Sequence, residues 1–121
     1  MKIFDLAELA DSSGGEYVLG AKDLHTDSCY MIYGVLAPGE ADRLVRAGKG
    51  HEEILCSLTG TIMLHTTAGE VPLHRGSAVL VKEDDSFYLS NPSDRALVYV
   101  TAGGRCRPER DRGEWYPDGK K

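Results

Sequence analysis

Histidine and glutamate two positions apart, His51 and Glu53, are the residues of this chain best placed to do chemistry. On an extended strand successive side chains alternate, so positions i and i+2 point to one side. A carboxylate beside an imidazole can fix its tautomer and form a proton-transfer pair. A purely structural role, with the two hydrogen-bonded to hold a loop, is the alternative. The other three histidines stand apart from this pair. His74 precedes the Arg75-Gly76 turn, His65 closes a strand and His25 lies in a loop, so each is read as a surface or structural residue. Cys29, Cys56 and Cys106 make an odd count without a CxxC pair, which fits neither a disulfide framework nor a zinc site. No Ser-His-Asp triad or phosphate-cradling glycine loop follows from the spacings.

The elements that must position these residues read as strand, turn, strand. Cys29 to Leu36 is rich in β-formers and stops at Ala37-Pro38-Gly39. Six further strands are predicted: Glu53 to Leu58, Thr61 to Thr66, Glu70 to His74, Ser77 to Lys82, Ser86 to Ser90 and Arg95 to Thr101, the last stopping at Gly103-Gly104. Short strands at intervals of about ten residues with turns between them are the mark of an all-β sandwich or barrel. Helical periodicity is confined to Phe4 to Ala10, too short to stand alone.

Size and charge narrow the function classes. The 121 residues fit one domain with one core, and neither a disulfide nor a structural metal is required to fold it. A net charge of −5 argues against a nucleic-acid groove, which calls for a basic stripe. No run approaches the roughly twenty apolar residues of a membrane span, and no signal peptide is seen, so a reduced, cytoplasmic protein is expected. Residues 105–121 carry six basic and four acidic side chains, a polar arm of net +2, and leave −7 on the rest of the chain. Trp115 and Tyr116 in that arm are expected to pack onto the body or onto a second subunit.

The segment from Pro38 to Asn91 resembles the two sequence blocks of the cupin superfamily. Pro38-Gly39 matches the turn of the first block, and Glu53 and Gly60 match its glutamate and the glycine seven positions on. In the second block Gly76, the strand Ser77 to Val81, the turn Lys82-Glu83-Asp84 and Asn91 fall in register. The resemblance implies a double-stranded β-helix, a jelly-roll barrel over about residues 27–103, with His51 and Glu53 lining its interior. It implies pairing as a homodimer, with Lys2 to Phe4 and Trp115-Tyr116 as candidates to cover open sheet edges.

At the family's metal the match breaks down. The histidine positions fall on Ala47, Lys49 and Phe87, and the loop from Glu40 to Gly50 is one residue longer than the family spacing. Alanine and phenylalanine cannot ligate a metal and an ammonium repels one. No cofactor is expected; a divalent transition metal on His51 and Glu53 is the alternative. Lys49 either replaces the cation beside Glu53 or points to solvent, and Phe87 either packs the core or walls an apolar pocket. Three functions stay open. One is a small-molecule-binding protein, or metal-independent enzyme of sugar or carboxylate chemistry, working at the barrel mouth. The others are a metal-dependent dioxygenase or isomerase with a rearranged ligand set, and a sensor or structural dimer sealed by Phe87.

Overall fold

The computed structural model describes residues 1–106 of the chain. Its nine strands, all in antiparallel pairs, form two sheets. In chain order they are β1 Glu16–Leu19, β2 Cys29–Leu36, β3 Arg43–Arg46, β4 His51–Ser57, β5 Ile62–Thr66, β6 Gly69–Leu73, β7 Ala78–Val81, β8 Ser86–Ser90 and β9 Leu97–Arg105. One sheet has the order β1-β2-β9-β4-β7 and the other β3-β8-β5-β6. The architecture is the expected all-β jelly roll. Alternate residues turn inward from both sheets: Leu36, Leu55, Val81 and Leu97 meet Ile62 and Leu89 in one buried core.

Seven of the strands lie where the alternating apolar pattern places them, with ends shifted by up to four residues. Two strands and a helical turn escape it. β3 lies inside what reads as a loop, because in Arg-Leu-Val-Arg only Val45 is buried and four residues give too little alternation to register. β1 is equally short and follows Gly14-Gly15, while α2 (Ala21–Leu24) is a single turn. The helix expected over residues 4–10 is present as α1 (Leu6–Asp11), started by the Asp5 carboxylate, which accepts the Glu8 N–H at 3.1 Å.

Within one copy of the chain, Lys2 to Phe4 pairs with no sheet edge. Those residues form no strand, Lys2 instead stacks its ammonium 5.2 Å from the Phe4 ring, and it is β1 that pairs with β2 at the sheet margin. The arm with Trp115 and Tyr116 lies outside the described residues.

β9 also runs past its expected stop, through Gly103 and Gly104 to Arg105. The glycines are not breakers here but clearances. An added Cβ at Gly103 would collide with the Tyr30 ring on the neighbouring strand, and one at Gly34 would collide with Tyr99.

Asn91 ties the two sheets together. Its buried amide donates to the carbonyls of Leu36, Ala37 and Arg95 at 2.7–3.1 Å, and its Oδ1 accepts from the Ser93 N–H and hydroxyl. The Pro38-Gly39 corner is thereby clasped to the β8–β9 connection.

Candidate functional site

Two rows of side chains cross the inner face of the five-stranded sheet, and each is built from a tyrosine, a glycine and a glutamate. In the first, Tyr30 on β2 stands opposite Gly103 on β9, which stands opposite Glu53 on β4. The Tyr30 ring lies across the glycine, and its hydroxyl donates to the Glu53 carboxylate. In the second, Tyr99 on β9 lies across Gly34 on β2 and donates to Glu16 on β1. Each tyrosine therefore occupies the space above the other strand's glycine. Reciprocity follows from the sequence: Tyr30 and Gly34 are four apart, as are Tyr99 and Gly103, and antiparallel pairing sets each Tyr against the partner Gly.

The rows differ in how their charge is met. Beside Glu16 and Tyr99 lies Arg43, only 14% exposed at its side chain. Its guanidinium donates to the Tyr99 hydroxyl at 3.1 Å, to Glu40 at 2.6 Å and to the Gly15 and Val35 carbonyls, and stands 3.7 Å from Glu16. Burial works against the charge on Arg43, but the hydrogen bonds and fields of Tyr99 and Glu40 outweigh it and hold the guanidinium above its ordinary range. Burial, then acceptance by Glu16, raise the Tyr99 phenol despite Arg43.

Among the described residues no cation pairs with Glu53 in this way, although Arg46 shares its hollows. Glu53 is 3% exposed, and one oxygen is held by Tyr30, whose phenol is raised by burial first and by Glu53 second. No group among the described residues donates to its other oxygen, and that oxygen is not sealed from solvent. It opens on two adjoining hollows of about 270 and 210 Å³ that share Val18, Ile32, Arg46 and Glu53 as walls. Tyr30, Ala47 and His51 complete one hollow, while Glu16, Tyr99 and Thr101 help to close the other.

His51 and Glu53 do share a wall, as the strand parity requires. They do not form the hydrogen-bonded pair that their spacing allows. The His51 ring sits edge-on to Tyr30, with centroids 5.8 Å apart and planes at 70°, and its Nδ1 faces the Lys49 carbonyl at 3.3 Å. A carbonyl only accepts, so this contact is a hydrogen bond in the tautomer that carries the proton on Nδ1.

Of its two readings, Lys49 takes the solvent-facing one. Its side chain is exposed and lines neither hollow, and it makes no ion pair with Glu53. The Gly48-Lys49-Gly50 turn, with both glycines at positive φ, carries it outward.

Phe87 lines neither of the Glu53 hollows. It is buried in the core opposite Val45 and walls a separate groove of about 460 Å³ with Leu64, Val71, Val79 and Leu80, where the carboxylates of Asp84 and Asp85 stand on an exposed lip. His65 bonds the Ser90 hydroxyl at 2.7 Å and lies 3.5 Å from Glu70, His74 faces the Thr61 hydroxyl, and His25 is exposed; none approaches Glu53. Cys56 is half-buried on the outer face of β4.

His51 and Glu53 alone do not make up the ligand set of a transition-metal centre. A catalytic metal takes three protein ligands and keeps an open position. Among the described residues no group of three His, Cys, Asp or Glu side chains converges, and Tyr30 already occupies one oxygen of Glu53.

No protein-family model matches the chain, and no curated protein matches it in sequence. Solved structures do match. A cupin protein from Bacteroides fragilis shares 16% identity over 100% of this chain and 93% of its own, with a TM-score of 0.67. A Cupin 2 conserved barrel domain protein from Salinispora arenicola shares 19% over 88% and 90%, also at 0.67. A protein from Thermotoga maritima, called a predicted oxalate decarboxylase, shares 19% over 75% and 81%, at 0.61. The fold is that of a small cupin barrel, as the two sequence blocks imply.

Tyr30, Tyr99, Arg43, Glu16 and Arg46 are the site residues that motif reading misses. The signal available for the tyrosines is the repeated Tyr-x-x-x-Gly in two strands that pair. Arg43, Glu16 and Arg46 lie on the two strands that escape the pattern altogether.

Proposed function

We propose that this chain binds a small polar molecule at the mouth of the barrel, with Glu53 as the residue that anchors it and Tyr30 and His51 as aromatic walls. The supporting observation is the buried Glu53 carboxylate with one oxygen held by Tyr30 and the other turned to the cavity. An acceptor that opens on a cavity between apolar and aromatic walls has the make-up of a small-molecule site. In this reading Glu53 accepts a hydrogen bond from the ligand, Tyr30 holds the carboxylate in one rotamer, and Val18 and Ile32 exclude water from its apolar part. No metal is required for that binding.

The test is a fragment screen by heteronuclear NMR on the labelled protein, with Glu53→Gln as control. Binding fragments should move the amide resonances of Glu53, Ile54 and Gly103, and lose affinity at least tenfold in the variant. Fragments that bind only at the Phe87 groove would move the site there.

We also propose that the chain forms a homodimer through the outer face of the five-stranded sheet. Met31, Ala102, Ile54 and Leu80 form one cross-strand row on that face, with Met31, Ile54 and Leu80 37%, 53% and 51% exposed. A contiguous apolar stripe of this kind is uncommon on a monomer. Sedimentation should report a dimer for the native chain and a monomer for Ile54→Lys; a native monomer at micromolar concentration would end the proposal.

A further inference from the structure

The five-stranded sheet builds the same arrangement twice, and the described residues complete it with a cation in one row only. In the Glu16–Gly34–Tyr99 row the carboxylate and phenol face a guanidinium, which donates to the phenolic oxygen and to the neighbouring Glu40. In the Glu53–Gly103–Tyr30 row the same two groups face an open cavity. Lys49, the one chain cation placed by sequence to fill that position, points to solvent. Arg46 stands at the rim with its side chain exposed, and no ion pair joins it to Glu53.

A donor and acceptor census narrows what fits. The Tyr30 proton is committed to Glu53, so toward the cavity the pair offers only acceptors: the free Glu53 oxygen and the phenolic lone pairs. An anion placed there would meet a carboxylate in a partly desolvated site, and like charges at that range repel strongly. A neutral alcohol satisfies one acceptor but leaves the buried charge without a counter-ion. A primary ammonium satisfies both acceptors and neutralises Glu53.

We propose that the cavity ligand carries a primary ammonium group, which binds between Glu53 and Tyr30 in the position that Arg43 takes in the other row. The proposal rests on the cavity reading above and adds the chemical class of the ligand. An aliphatic stem follows from Val18, Ile32 and Ala47 on the adjoining walls.

Butylammonium, butanol and butyrate share a stem and differ only in the head group, so their ranking isolates the charge. Titrations of the wild-type chain by NMR should show butylammonium moving the Tyr30, Glu53 and Gly103 resonances, at least tenfold tighter than butanol, with butyrate silent there. Glu53→Gln should weaken butylammonium at least tenfold. Butanol or butyrate binding at those resonances as tightly as butylammonium would overturn the ammonium assignment and leave the cavity reading standing. If none of the three moves a cavity resonance at tens of millimolar, both fall. The wild-type ranking decides the question even if the variant folds poorly.

Discussion

Two Tyr–Gly–Glu rows lie on one sheet face of this barrel, and the contrast between them separates structure from candidate function. Where Arg43 completes the row, the guanidinium joins β3 to β1 and β2 through Glu16, Glu40 and two backbone carbonyls, and the carboxylate and phenol that border the cavity share a cation. Where no cation completes it, the same geometry leaves a buried carboxylate half-paired beside a cavity. Such a group lowers stability in exchange for a site, the pattern expected where binding is selected over folding.

If the closed row is a structural pin, removing its cation carries the largest cost. Arg43→Met strands Glu16, Glu40 and two carbonyls, and is expected to lower the unfolding free energy by about 3 kcal/mol, less than for a fully buried pair because both glutamates keep some solvent. Urea titration measures it, and a loss below about 1 kcal/mol would reduce the pin to a surface ion pair.

The glycine clearances give the next effect. Gly103→Ala forces the Tyr30 ring off Glu53 and should cost about 2 kcal/mol by overpacking. Combining it with Tyr30→Ala removes the clash, so the two changes should be strongly non-additive. Simple addition would mean the ring does not depend on the missing Cβ.

Alkaline pH probes both rows at once. Tyr30 and Tyr99 are raised above the ordinary 10.0, so the folded state keeps protons that the unfolded chain releases. Below about pH 10 both states are protonated and the stabilisation is fully present; above it the unfolded state binds fewer protons and stability falls as pH rises. Thermal midpoints should therefore decline above pH 10, and less steeply in Tyr30→Phe and Tyr99→Phe.

The barrel itself could be read from the sequence because its signals are local and repeated. Cys29–Leu36 and Ser86–Ser90 coincide with their predicted bounds, and Glu53 lies inward as strand parity and the cupin blocks imply. The site was legible only in part. His51 and Glu53 do share a wall, but the partner of Glu53 is a tyrosine 23 residues away, brought there by the β2–β9–β4 register and by a glycine that leaves room for its ring. Which residue neutralises a buried charge depends on such cross-strand neighbours. The edge strands β1 and β3, four residues each, supply Glu16, Arg43 and Arg46 yet carry too few residues to show a period. Between the two roles open to Lys49 the choice is local, because the two positive-φ glycines beside it turn the chain away from the cavity.

The most direct test of the open-row account is the unfolding free energy of Glu53→Gln, measured by urea denaturation beside Arg43→Met. The substitution keeps the shape and removes a buried charge that has no cation. The account predicts stability equal to the parent within about 1 kcal/mol, or higher, against a clear loss for Arg43→Met. A loss for Glu53→Gln as large as that for Arg43→Met would show that Glu53 is already fully compensated within the fold, and that the barrel mouth is a second structural pin.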